Sequence, residues 1–186
     1  MNILRILVLS LSMLGLASAC WAEEQRASAP TAAASAVPTL AVETLAPFEV
    51  QAVQTFRHPW AMAVLPDNRL LVTEKSGKLW WADPKTGQKQ AITGVPAVVD
   101  AGQGGLGDVV LHPDFDRNQW IYLSYAEAGE AHTQGAAVAR ARLQMDELGG
   151  GRLSEVTVVW RQTPKVTGDG HYGHRLLFGS DGLLWI

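Results

Sequence analysis

From about residue 47 to Ile186, apolar and polar residues alternate in short runs cut by turn residues, and almost no stretch carries the helical period of about 3.6 residues. Val50, Ala52 and Phe56 lead into Pro59-Trp-Ala-Met-Ala-Val-Leu65. The turn Pro66-Asp-Asn68 follows, then Leu70-Leu-Val-Thr73, a break at Gly77, Leu79-Trp-Trp81 and the turn Asp83-Pro-Lys-Thr-Gly87. Short strands joined by such turns read as a meander, so the pattern predicts an all-β domain over residues 47–186.

The meander repeats. A unit of apolar strand, turn built on an aspartate and second apolar strand occurs first as Ala61-Met-Ala-Val-Leu-Pro-Asp67-Asn-Arg-Leu-Leu-Val. Gly107-Asp-Val-Val-Leu-His-Pro-Asp114 matches it and reaches Trp120-Ile-Tyr-Leu123 after a longer turn; Leu176-Leu-Phe-Gly-Ser-Asp181-Gly-Leu-Leu-Trp-Ile186 is the third copy. The turn aspartates lie 47 and then 67 residues apart, near the blade length of a β-propeller once insertions are allowed for. A propeller is therefore expected, with two to three blades in this chain. The aspartates read as turn residues whose side chains bond the backbone two residues on. The seven tryptophans read as packing between blades rather than as a sugar-stacking platform.

The leading residues follow another pattern. Met1-Asn-Ile-Leu-Arg5 supplies a small positive start, Ile6 to Leu16 a short apolar core and Ala17-Ser-Ala19 a small-residue cleavage site. Residues 1–22 thus read as an export signal, too short for a comfortable membrane span. Two processing outcomes stay open: lipidation of Cys20, which tethers the protein to a membrane, and cleavage after Ala19 or Ala22, which releases it. Either places the mature protein in the periplasm or outside the cell. Residues 23–46, rich in alanine, serine, proline and threonine, bury too little apolar surface to offset their ordering and read as a disordered linker. Cys20 is the only cysteine, which excludes an internal disulfide and a cysteine-based metal site. A net charge of −3 offers no basic field for nucleic acid.

Candidate chemistry gathers in Val166-Thr-Gly-Asp-Gly-His171-Tyr-Gly-His174-Arg175-Leu-Leu-Phe178. Its glycines flex a loop that leads into an apolar run, the usual way a rigid sheet presents a reactive group. Histidine is the side chain best suited to taking a proton near neutral pH, so His171 is a candidate general base. His174 and Arg175 stand beside it as further candidates, with Arg175 equally able to pair with a carboxylate of a neighbouring blade. Gln103, flanked by Gly102, Gly104 and Gly105, can donate and accept hydrogen bonds where backbone approaches a ligand closely. His112, before Pro113-Asp114, reads as a turn residue. The sequence shows neither paired histidines at metal-ligand spacing nor a carboxylate-rich calcium loop.

Several ordered segments resemble a known family. They are His58-Pro-Trp-Ala-Met-Ala-Val-Leu-Pro-Asp-Asn, Leu71-Val-Thr-Glu-Lys-Ser-Gly-Lys-Leu, Gly94-Val-Pro-Ala-Val, Gly102-Gln-Gly-Gly-Leu-Gly-Asp-Val-Val-Leu-His-Pro-Asp-Phe115, Ile121-Tyr-Leu-Ser-Tyr125 and Gly170-His-Tyr-Gly-His-Arg-Leu. Together they are similar to the opening blades of the soluble, pyrroloquinoline-quinone (PQQ)-dependent aldose sugar dehydrogenases, the glucose/sorbosone dehydrogenase family of six-bladed propellers. The resemblance runs from about Val50 to Ile186.

That resemblance implies a sugar oxidoreductase. His171 holds the place of the family's general base, which takes the proton of the anomeric hydroxyl while hydride passes from that carbon to the quinone, leaving a lactone. Gln103 falls where the family binds sugar and cofactor. Some members place an aspartate directly before the catalytic histidine to orient it; here Gly170 has that place, with Asp169 one residue further back. PQQ is implied as cofactor, an aldose as substrate and an external electron acceptor as partner. Calcium is implied as the ion that binds the quinone and supports a homodimer. The calcium ligands and the basic residues for the quinone's carboxylates are expected beyond Ile186, in a longer protein of which this chain is the N-terminal part, and the chain alone is expected to be inactive. Two rival classes remain: a metal-dependent sugar-acid lactonase on a propeller, and a propeller that binds carbohydrate or protein without catalysis.

An unclosed propeller exposes strand edges and one blade's apolar face. The 186-residue chain on its own is therefore expected to lose structure without a cooperative thermal transition. A single sharp melt by circular dichroism contradicts this.

Overall fold

The computed structural model describes residues 48–146 and 150–186. The export segment expected at 1–22, including Cys20, and the linker expected at 23–46 lie outside the described residues.

Four strands, β1 (Pro59–Val64), β2 (Leu70–Glu74), β3 (Lys78–Ala82) and β4 (Lys89–Thr93), form one antiparallel meander. A second is built from β5 (Leu106–Leu111), β6 (Trp120–Ala128), β7 (Gln134–Met145) and β8 (Gly151–Arg161). The outer strands β4 and β8 pair in parallel, with Ile92 opposite Gly151 and Thr93 opposite Arg152. A hairpin of β9 (Leu177–Phe178) and β10 (Leu184–Trp185) opens a third unit. The described residues thus hold two complete four-stranded propeller blades and the start of a third, all-β apart from the one-turn helix α1 (Phe115–Asn118). No helix among them is long and apolar enough to cross a membrane.

The strands follow from alternation. In β7, Ala137, Ala139, Ala141 and Leu143 face the core while Arg140, Arg142 and Gln144 occupy the alternate positions. Leu71, Leu79 and Ile92 of the first blade and Leu123 and Leu153 of the second belong to the same cluster, so the two blades share one core. Each fully buried leucine contributes about 1.5–3 kcal/mol relative to exposure. Ahead of β1, the alternating residues Val50 to Phe56 form no strand. Gln54 Nε2 donates to the Gly87 carbonyl and Lys89 Nζ to the Thr55 carbonyl, each at 2.5 Å, and these bonds lay the segment beside the β3–β4 turn.

The turn aspartates divide. Asp67 Oδ1 accepts from the Arg69 amide and Asp181 Oδ1 from the Leu183 amide, both at 3.0 Å, which is the expected turn chemistry. Asp114 differs because α1 replaces the tight turn there: its carboxylate pairs with Arg117 at 2.7 Å and makes no cap bond. His112 Nδ1 accepts the Asp114 amide at 3.0 Å, and the helix carries Phe115 into the core. The tryptophans also depart from expectation. Among the described tryptophans Trp81 alone is buried, whereas Trp80 and Trp120 lie under cations, with Lys89 4.8 Å from Trp80 and Arg140 4.2 Å from Trp120. Trp60, Trp160 and Trp185 are exposed.

The inner strands β1 and β5 are joined through Thr73. Its buried hydroxyl donates to the Gly107 carbonyl at 2.7 Å and accepts the Ala61 amide at 3.0 Å, and the Leu106 amide donates to the Lys75 carbonyl at 3.0 Å. Thr73→Val keeps the shape and removes the hydroxyl, stranding a buried carbonyl. A loss of about 1–3 kcal/mol is expected in urea unfolding of the whole protein, and unchanged stability contradicts the inter-blade role.

Candidate functional site

Three chain segments converge at one end of the blades: the entry to β1, the loop before β5 and the residues 166–176 before β9. The Lys75 amide donates to the His58 carbonyl at 3.0 Å, the Gln103 amide to the Asp169 carbonyl at 3.0 Å, and the Trp60 and His174 rings meet edge to face at 5.4 Å. The Lys75 bond closes the entry of the first blade on itself, whereas the Gln103 bond and the Trp60 ring contact tie residues 169–174 to the second and first blades.

Residues 166–176 form an arch pinned at both ends. At the start, Gln134 on β7 exchanges backbone bonds of 2.9 and 3.0 Å with Val166, and its side-chain amide donates to the Gly168 carbonyl. In the middle stands the bond from Gln103 to Asp169. At the far end, Ser124 Oγ on β6 donates to the His174 carbonyl at 2.6 Å, and Asp108 Oδ2 on β5 accepts the Leu176 amide at 2.8 Å and Arg175 Nη1 at 3.2 Å. Between the pins run Gly170, His171, Tyr172 and Gly173, and both glycines border open space.

His171 sits on the exposed crest, with no hydrogen-bond, ionic or ring partner among the described residues. Gln103 is exposed too, and its side-chain carboxamide has no partner among the described residues, while its backbone amide is held by Asp169. Asp169 is exposed and makes no hydrogen bond to His171; its backbone and carboxylate press against Gly102, whose φ of +51° is a left-handed conformation natural to glycine. Gly105 in turn abuts the Lys75 carbonyl. These glycines therefore admit neighbouring protein segments, where the sequence suggested close approach to a ligand. Arg175 extends into solvent from its ion pair with Asp108, beside a cleft of about 320 Å³ lined also by Trp60, Ala61 and Gly173.

His174 is placed quite differently from His171. It is 6% exposed at a φ of +63°, its ring lies directly on Gly107, where no side chain would fit, and Tyr172 closes it at 5.7 Å. Neither ring nitrogen finds a hydrogen-bond partner. Burial pushes its pKa below the usual histidine range, against weaker opposing pulls from the Gln103 backbone and the Asp108 carboxylate. Its imidazole is accordingly neutral at pH 7.

Asp108 and Ser124 are the site residues that reading the sequence missed. A signal for Asp108 existed: it is the one charge inside the apolar run Leu106-Gly-Asp-Val-Val-Leu111, and such a charge is either exposed or heavily bonded. Among the described residues, no three histidine, cysteine or carboxylate side chains converge as metal donors.

The fold agrees with that of solved relatives. A profile of the family described as Glucose / Sorbosone dehydrogenase matches residues 56–186. The chain belongs to the glucose/sorbosone dehydrogenase family. Aldose sugar dehydrogenase YliI of Escherichia coli (strain K12) is 44% identical over 133 residues, covering 69% of this chain and 34% of the relative. The crystal structure of the soluble aldose sugar dehydrogenase from Escherichia coli in the apo-form has a TM-score of 0.64 at 42% identity, over 71% of this chain and 37% of that one. The PQQ-bound form of the aldose sugar dehydrogenase from Streptomyces coelicolor has a TM-score of 0.62 at 29% identity, over 73% and 39%. As a member of the glucose/sorbosone dehydrogenase family, the chain spans about a third of the length of its curated relative.

His174 gives a pH test. A histidine whose folded pKa lies below the unfolded value of 6.5 leaves the unfolded chain binding more protons in that window, so stability is full above about pH 6.5 and falls as pH drops toward the folded value. His174→Asn removes the titration and suits a left-handed backbone. Urea midpoints measured from about pH 8 to about pH 5 should fall less steeply in this variant, and identical slopes contradict the assignment.

Proposed function

We propose that the whole protein oxidises the anomeric carbon of aldoses to lactones with PQQ as the oxidant. The observation that carries this reading is the exposed imidazole of His171, without a partner among the described residues, held on a pinned arch against the loop whose Gln103 side-chain carboxamide is equally unpartnered. A side chain capable of proton transfer that makes no bond within the protein is available to a ligand.

The residues divide the work by their chemistry. A hemiacetal carbon gives up hydride readily only as its hydroxyl proton departs, so an imidazole nitrogen of His171 accepts that proton while the C1–H bond breaks and C1=O forms. General-base help of this kind is worth about 10² to 10⁴ in rate. Gln103 offers both a donor and an acceptor to sugar hydroxyls. Asp169 fixes the Gln103 loop against the arch, and Arg175 is the cation nearest the cleft. PQQ, once bound, would supply the hydride acceptor, with an external electron acceptor as the expected partner. The described donor set suits the reacting end of such a site: a base, an amide and glycine-lined open space. It holds no cluster for calcium, so no step is assigned to that ion. The leader at 1–22 supports export to the periplasm or beyond, released or held by lipid on Cys20.

The experiment is turnover of the whole protein with calcium, PQQ and an artificial acceptor on an aldose. His171→Ala should lower kcat by about 10² to 10⁴ with folding intact. Unchanged turnover in that variant overturns the proposed base.

A further inference from the structure

We propose that Asp108 is the positioning residue of the His171 arch, acting through the backbone of residues 174–176 with Ser124 as its second jaw. This rests on the reading of His171 as the base and adds the device that aims it.

The geometry is specific. The Asp108 carboxylate is nearly inaccessible, yet all its bonds are accounted for: Oδ1 accepts its neighbour's amide, Val109 N–H, at 2.9 Å, while Oδ2 accepts Leu176 N–H at 2.8 Å and Arg175 Nη1 at 3.2 Å. Its own amide donates to Ser124 Oγ at 2.8 Å, and that hydroxyl donates to the His174 carbonyl at 2.6 Å. One hydrogen-bonded chain therefore runs from β5 through β6 to the arch, and a second runs from β5 directly. Both end within a few residues of His171, on its C-terminal side, facing the Gln103–Asp169 bond on the other side, and the glycines at 170 and 173 border open space. A carboxylate is the only side chain of this size that accepts from both directions at once. Asparagine supplies one oxygen and turns two donors toward N–H groups that also donate. Loss of the clamp should leave the base present and ill-aimed, and displacement of a reacting group by about 1 Å can lower the rate about 10²-fold.

The test compares Asp108→Asn, Asp108→Ala, Ser124→Ala and His171→Ala in the holoenzyme with calcium and PQQ, turnover being expressed per bound quinone. With a C1-deuterated aldose, the Asp108 variants should keep KM and lose about 10- to 100-fold in kcat. Their deuterium isotope effect should rise above that of the parent, because a misaligned base makes C–H cleavage limiting. Ser124→Ala should move in the same direction by less. Adding Asp108→Asn to His171→Ala should cause no further loss. A merely structural role reduces the yield of holoenzyme and leaves kcat per quinone and the isotope effect unmoved. If both Asp108 variants turn over like the parent while His171→Ala is silent, the clamp is overturned and the base stands. If His171→Ala retains turnover, the base reading falls. Should neither Asp108 variant fold, Ser124→Ala decides: parental kcat and isotope effect overturn the proposal.

Discussion

A single buried carboxylate, Asp108, ties the second blade to the arch on which His171 stands. Removing an ionised carboxylate from water costs several kcal/mol even after relaxation, so it persists inside a protein only where donors surround it. Here those donors are the amides of Val109 and Leu176 and the guanidinium of Arg175. The same bonds that make the charge tolerable bring the start of β9 against β5. The burial of one side chain thereby fixes the far end of the arch, and the crest around His171 inherits its position.

The remaining architecture supplies rigidity where the arch needs it. The shared core of the two blades holds β5 and β6 in place, and Thr73 locks β1 and β2 to the Gly107 carbonyl. Gly107 in turn lacks a side chain because the His174 ring occupies that space. The two histidines of the arch therefore have opposite physical characters. His174 is buried, neutral and wedged between aromatic rings, part of the foundation. His171 is exposed and unpartnered. A short segment can carry both only because the glycines between them let the chain turn from core to crest.

Much of this was legible from residues alone. The hairpins around Asp67 and Asp181 and the three-fold repeat came from alternation and turn chemistry, and the family resemblance rested on segments that the fold places at blade entries and within β2, β3 and β6. The longest strands, β7 and β8, were not named individually, although Ala137, Ala139 and Ala141 alternating with Arg140 and Arg142 is a clear two-residue period; alanine is a weak β former and mutes the signal. Asp114 misled because a one-turn helix and a tight turn begin with the same residues. The glycines around Gln103 misled because a sequence shows that backbone must approach something closely without showing what. The partners of Asp108 lie too far along the chain for spacing to reveal them. The exposed tryptophans mark the same limit: burial depends on which surfaces meet.

The central claim is that the pinned arch delivers His171 to the anomeric hydroxyl of a sugar. The most direct measurement is a crystal structure of the whole protein with calcium, PQQ and an aldose bound. A His171 ring nitrogen is expected within about 2.6–3.2 Å of the anomeric oxygen, with Asp108 still accepting the Leu176 amide. A bound sugar whose anomeric oxygen meets another side chain, with His171 turned to solvent, contradicts it.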